Sequence, residues 1–427
     1  MSLVNRRRFL ARIAALPGGI AAAGALSSLR SPDARAAPMP EYPYTLAERN
    51  RRWANIRKMM SEGGFDCLIL PHRSGDDVNQ LMYADYVSGG GFFDFGDGAV
   101  VFPLEGEPVL VNGFLPSAWI DRRADKAYQE NGVQVPLGNQ IVEVVQDLGL
   151  ARSNLAVVGT RSGAEGLNEF LNEGLITYAA WSAVLAGLPE ATFTDITEAF
   201  SMIMMVKSQE EIANIEKSAL LGERLHELIL QETAVGMDKR EFQAMVEHFL
   251  AVNGARPDVR ALAMAPGLVR EGHVINSEYG IVYAGGYSQV TLCAVVGKMS
   301  DEMKRLADVA HQLMDLGAST LRAGKTFGDV IEPMEKLSAD SGYWHMFPHI
   351  HNILPMTLVG PVYIGGPDKP GSLCLGAHIE IKEGMAFSFE PAARTGQFAE
   401  AKVGATAVVT ADGLNVINKI GTRVQQI

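Results

Sequence analysis

The stretch Glu278–Leu292, EYGIVYAGGYSQVTL, decides how this chain is read. Two β-prone runs flank Gly285-Gly286, so residues 275–283 and 288–296 read as the strands of a hairpin. Within it, the carboxylate of Glu278 and the neutral amide of Gln289 stand eleven residues apart. What that pair holds is the question the rest of the sequence must answer.

Outward from the hairpin, helices and strands segregate. Ser208 caps a long helix, and Asp238 with Glu241 reads as a capping box. Phe242, Met245, Val246, Phe249 and Leu250 then form an apolar stripe that Asn253-Gly254 ends. Further helices are expected over about 301–317 and 326–340, and strands near 385–390 and 403–410. Helices set apart from antiparallel strands make residues 200–427 an α+β domain. Residues 45–198 read differently. Thr45 with Glu48 is a capping box, the helix stops at Gly63-Gly64, and DCLIL follows as a buried strand. GDGAVVFPLEGEPVLV is a second hairpin and NLAVVG another short strand, giving an α/β domain. The texture changes at MVKSQEE.

VKSQEEI, GMDKREFQAMVEHFLAVNGA, REGHVINSEYGIVYAGGYSQVT, IKEGMAFSFEP and the closing AVVTADGLNVI together resemble the creatinase/prolidase/aminopeptidase P family. The resemblance covers nearly all of residues 45–427. It implies an α+β pita-bread catalytic-type domain preceded by an α/β domain, with strands 275–296 and 385–410 in one curved sheet. It also implies a site where two aspartates, a histidine and two glutamates hold two divalent ions. Such ions want carboxylate oxygens, and a pair of them polarises a carbonyl and acidifies a bridging water. This chain supplies part of that set. Glu278 stands at the first aspartate position, Gln289 at the second, Glu390 at the first glutamate and Gly404 at the second. The histidine falls in HMFPHIHNILP, on His349 or His351, with His345 a weaker candidate. The metal site is therefore read as degenerate, with no cofactor expected. If one ion is bound, Glu278, Glu390 and His349 or His351 are its ligands.

By analogy with creatinase, which breaks a C–N bond without metal, Glu390, His349, His351 and Glu278 are the expected catalytic residues. Gln289, His345, Phe92 and Phe93 are the expected substrate contacts, the two phenylalanines reaching a neighbouring subunit's pocket in a homodimer. A gap is expected where Gly404 lacks a carboxylate. Glu390 sits in an apolar run, where a carboxylate is costly unless paired or ligating. His226 reads as a satisfied core residue and His273 as exposed. The function read here is hydrolysis of a C–N bond in a small amide, amidine or short peptide. The alternative is a binding protein that keeps the fold and has lost the chemistry.

Charge and termini bound the partners. The net charge of −12 gives no electrostatic reason for nucleic acid. Three cysteines, Cys67, Cys293 and Cys374, with no CxxC, exclude a disulfide framework or thiolate zinc site. Arg6-Arg7-Arg8 precede Phe9-Leu10 and an Ala/Gly-rich segment, and ARAAP offers cleavage near Ala36. Residues 1–36 thus read as a twin-arginine signal for the periplasm, too short and Gly/Pro-broken for stable membrane insertion. Its removal takes away six arginines and one aspartate, leaving a charge of −17.

Overall fold

The first helix, α1 (Leu46–Gly63), starts at Thr45, whose side chain accepts from the Glu48 N–H, and ends where Gly64 turns left-handed at φ 70°. The computed structural model describes residues 43–73, 78–92, 96–113, 115–124, 135–160, 174–257, 267–354, 358–359, 361, 363, 366, 368, 376–396 and 399–427. Residues 1–36, expected to be a signal segment, together with Phe93 and Cys374, lie outside the described residues. The capping box expected at Thr45 is only half made. Glu48 turns to Arg51 and Arg52, and the Thr45 N–H donates instead to Glu210 Oε1 at 2.6 Å, a residue of the second half.

After α1 come β1 (Cys67–His72), α2 (Val78–Ser88), β2 (Gly98–Pro103), β3 (Val109–Val111), α3 (Leu137–Asp147), β4 (Asn154–Val157), α4 (Tyr178–Gly187) and β5 (Thr192–Asp195). The five strands make one mixed sheet in the order β3-β2-β1-β4-β5, with β1 antiparallel to β2 and parallel to β4. Alternation along β1 explains why both faces are covered. Leu68 and Leu70 meet Trp53, Ile56 and Tyr83, while Cys67 and Ile69 meet Ile141 and Val184 on the other side.

Next come α5 (Thr197–Met205), α6 (Gln209–Glu232), α7 (Lys239–Val252), β6 (Arg256–Pro257), β7 (Val274–Tyr283), β8 (Gly286–Val295), α8 (Asp301–Thr320) and α9 (Phe327–Ser341). The chain closes with β9 (Ile350–Asn352), β10 (Leu358–Val359), β11 (Ala386–Phe389), β12 (Ala392–Thr395), β13 (Ala399–Lys402), β14 (Ala405–Thr410), β15 (Gly413–Val416) and β16 (Gln425–Gln426). Ser208 and Glu211 complete a capping box on α6. Asp238 caps α7 through the Arg240 N–H, so the box expected with Glu241 is not the one formed. The stripe read on α7 does face the core, with Phe242, Met245, Val246 and Leu250 buried.

The single curved sheet expected for 275–296 and 385–410 is divided. Strands β16-β8-β7-β6 form one ladder and β10-β9-β11-β14-β15 another. Side-chain bonding links them, because Thr406 Oγ1 accepts from the Gln289 N–H at 3.1 Å and donates to the Gln289 carbonyl at 2.9 Å. Helix α6 lies against the hairpin closely enough that a Cβ on Gly222 would stand 2.8 Å from Val290.

Three smaller expectations change. His226 is fully buried, but neither ring nitrogen has a hydrogen-bond partner among the described residues, so it is a core residue and not a satisfied one. His273 is half-buried. Phe92 is 7% exposed and stacks on His72 of its own domain with ring centroids 4.2 Å apart. Its ring therefore belongs to the first domain's core and does not extend to a substrate or a partner's pocket.

Candidate functional site

The hairpin register brings the central residues together. Glu278 lies opposite Thr291, and Gln289 lies opposite Gly280, so Glu278 and Gln289 are diagonal neighbours on one face. The eleven-residue spacing is thus a cross-strand contact. Glu390 follows β11, two residues after Ser388, whose hydroxyl donates to Glu390 Oε1 at 2.7 Å. The Gln289 amide N–H2 donates to Glu390 Oε1 at 2.8 Å and also to Glu278 Oε1. Thr291 Oγ1 stands 3.4 Å from the same Glu390 oxygen.

Lys402, at the end of β13, closes the group. Its ammonium sits 2.8 Å from Glu390 Oε2 and bonds Glu278 Oε2 as well. Burial would lower its pKa, but Glu278 and then Glu390 outweigh burial and hold it above the ordinary lysine value. Burial likewise pushes Glu390 up, yet Lys402 and His351 hold it well below the usual carboxylate range. Glu278 is the more open of the two carboxylates, with 28% of its side chain exposed against 3% for Glu390.

The histidines separate. His351 lies within β9, its Nε2 3.9 Å from Glu390 Oε1 and its Nδ1–H on the Asn352 carbonyl at 3.1 Å. Burial alone would lower its pKa, but Glu390, the Asn352 carbonyl and Glu278 together raise it. His349 precedes the strand, in a bend, so alternation with His351 does not hold there. Its ring faces Glu335 on α9, with Nε2 3.6 Å from Oε1, and His345 stands beside it with ring centroids 4.0 Å apart. The His345 and His349 rings are therefore not partners of the Glu390 carboxylate, although the Glu390 N–H donates to the His349 carbonyl at 2.7 Å, and His349 is not a co-ligand with Glu278 and Glu390.

The metal pair implied by the resemblance does not fit this donor set. Where a second carboxylate would bind, Gln289 directs N–H donors at both glutamates, and an ammonium already bridges them. No gap stands at Gly404 either. A Cβ there would meet Thr291 Oγ1 at 2.8 Å and the Phe389 carbonyl at 2.9 Å.

Sequence reasoning missed Lys402 and Glu335. The only signal for Lys402 was a cation two residues before Gly404; nothing local marks Glu335. A cavity of about 200 Å³ lies at the junction of the two halves, lined by Arg52, Lys207, Glu211, Tyr287 and Leu354 among others. None of Glu278, Gln289, Glu390 and Lys402 lines it, but the Tyr287 hydroxyl comes within 3.5 Å of Gln289 Oε1.

The chain's fold and sequence resemble those of known peptidases. Residues 213–411 match the model of metallopeptidase family M24. The Xaa-Pro dipeptidase of Pyrococcus horikoshii is 20% identical over 314 residues, 70% of this chain and 80% of that protein. The uncharacterized peptidase YqhT of Bacillus subtilis is 24% identical over 186 residues, 40% of this chain, which spans about half (52%) of that relative. Among solved structures, the X-Pro aminopeptidase of Thermotoga maritima superposes with TM-score 0.66 at 17% identity, covering 88% of this chain and 99% of that one. The Xaa-Pro dipeptidase of Bacillus anthracis gives 0.67 at 17%, covering 89% and 100%. Residues 213–411 thus match metallopeptidase family M24, and the chain shares the pita-bread fold of these solved structures, with a further N-terminal domain ahead of that fold.

Proposed function

We propose that this protein is an exported hydrolase of a C–N bond in a small amide, amidine or short peptide, working without the family's metal pair. The observation that carries this reading is the Lys402 ammonium lying between Glu278 and Glu390, where it supplies the positive charge that the buried Glu390 and its partly exposed neighbour require. In this scheme Glu278, the exposed carboxylate, orients a water toward the carbonyl or amidine carbon. Lys402 and the Gln289 amide contact both carboxylates, and Lys402 with His351 holds Glu390 in its ionised form. His351, whose pKa is raised beside Glu390, gives its proton to the departing nitrogen as the C–N bond breaks. The water supplies the new C–O bond, and its released proton restores the imidazolium.

A second reading is a ligand-binding protein with no turnover. It is favoured by one observation: both oxygens of Glu278 and of Glu390 already have protein partners. Assay of the full chain against X-Pro dipeptides, creatine-like amidines and small amides separates the two. The hydrolase reading expects turnover that falls at least about 10²-fold in His351→Gln. Calorimetric binding without turnover in the wild type would leave only the second reading.

Export through the twin-arginine route is part of the proposal, and Arg6→Lys with Arg7→Lys should trap unprocessed protein in the cytoplasm. A cleaved periplasmic form in that double variant would remove it. A homodimer is likewise proposed, on the family resemblance and not on Phe92; a monomer mass by light scattering at micromolar concentration would reject it. No helix among the described residues is long and apolar enough to cross a membrane.

A further inference from the structure

The polar cluster on the far side of His349 is arranged unlike any hydrogen-bonded group. Glu335, His345 and His349 each place a candidate ligand atom within 4.8 Å of the others, and the Nε2 atoms of both histidines approach Glu335 Oε1. His345 and His349 side chains are 2% and 0% exposed, and Glu335 is 23% exposed. Buried polar atoms normally find partners, and those that do not call for an explanation. Here Glu335 Oε1, His345 Nε2 and both nitrogens of His349 make no hydrogen bond among the described residues.

The tautomer sharpens this. His345 Nδ1 lies 2.6 Å from the Phe347 carbonyl, which can only accept, so Nδ1 carries the proton. In the neutral ring, Nε2 then presents a lone pair to Glu335 Oε1 at 2.9 Å, misaligned for a hydrogen bond. Two lone pairs that close repel unless a cation lies beside them. His349 is the companion such a cation needs: its buried ring brings Nε2 to 3.6 Å from the same Glu335 oxygen, with neither nitrogen in a hydrogen bond among the described residues.

We infer that Glu335 Oε1, His345 Nε2 and His349 Nε2 form a mononuclear transition-metal site, a two-histidine, one-carboxylate set of the kind that takes Zn²⁺. Two imidazoles with a single carboxylate suit zinc-class ions and not magnesium or calcium, which want more oxygens. Ligand bonds of about 2.0–2.2 Å at tetrahedral angles put ligand atoms roughly 3.3–3.5 Å apart. The observed 2.9 and 3.6 Å bracket that span. Second contacts also match. The Phe347 carbonyl fixes the His345 ring, and the Tyr363 hydroxyl donates to Glu335 Oε2 at 3.2 Å, as outer partners of metal ligands do. Glu335 is the most exposed of the three ligands. The site ties α9 to the chain entering β9, and it shares no side chain with the Glu278–Glu390–Lys402 group.

The test is zinc titration of the metal-stripped full chain by calorimetry, with zinc content after dialysis read by mass spectrometry. One equivalent per chain is expected. Affinity should fall at least about tenfold in Glu335→Gln, since even second-shell losses cost that much. Cobalt loaded into the same protein should give the visible absorption of a tetrahedral ion, lost in Glu335→Gln. If that variant does not fold, His345→Gln read by the same cobalt signature takes its place. Glu278→Gln and Glu390→Gln should leave zinc binding unchanged. No zinc retained by the wild type, equal retention by Glu335→Gln, or loss of zinc in Glu390→Gln would each overturn the assignment.

Discussion

The Lys402 ammonium stands 2.8 Å from Glu390 Oε2, inside the core of a metallopeptidase fold and among the side chains that its relatives' pattern would give to metal. A protein cation thus balances the carboxylates. Because the lysine arrives from β13 and the glutamates from β7 and the end of β11, its two contacts bind three strands together.

Removing that cation leaves two carboxylates side by side. Lys402→Met should cost about 3–5 kcal/mol, the usual penalty for uncompensated buried charge. The surviving pair should take up a proton, so the loss should shrink as pH falls toward 5. Urea denaturation of both proteins at several pH values measures it, and a loss under about 1 kcal/mol would show that the contact contributes little.

Buried histidine sets the acid side of the stability curve. The pKa of His226 is pushed down from 6.5 to about 3 by burial, so between those values the unfolded chain binds the extra proton. Stability should therefore fall as pH drops below 6.5, by up to about 1.4 kcal/mol per unit for this residue. His226→Leu should remove that share. Glu390, with its pKa depressed, adds stability present above about 4.5 and lost in acid, while Lys402, raised above 10.5, adds stability lost only in strong base.

The two halves are joined by a buried ion cluster. Arg52 bonds Glu48 at 2.7 Å and Glu211 at 3.1 Å and lies over the Tyr44 and Tyr86 rings at 4.4 and 4.2 Å. Arg52→Met should destabilise by about 3–5 kcal/mol, because Glu48 and Glu211 would share only the half-exposed Arg51. Two separated transitions in calorimetry would show the halves uncoupling.

Hairpin and helix touch at Gly286, where an added Cβ would fall 2.1 Å from the Asn214 carbonyl oxygen. Backbone cannot yield as a flexible side chain does. Gly286→Ala should therefore cost about 1–3 kcal/mol, read as a lower urea midpoint at constant slope.

The sequence carried the hairpin, the Ser208 cap, the α7 stripe and Glu390 because each is a local pattern of period, cap or spacing. Lys402 and Glu335 were not legible for the opposite reason. Each gains its partners from strands or loops distant in the chain, and nothing near it marks the contact. The sequence could not choose between His349 and His351, because β9 begins only at Ile350 and nothing local shows that His349 turns toward Glu335 and His351 toward Glu390. The gap expected at Gly404 failed because substitution leaves no vacancy when neighbouring backbone and Thr291 close over it.

The central claim is that Lys402 stands in for the metal pair, and metal stoichiometry tests it most directly. The full chain, dialysed against manganese, cobalt or zinc, should hold at most one ion, with none lost on Glu278→Gln or Glu390→Gln. Two ions per chain, both lost when Glu390 becomes glutamine, would contradict the account.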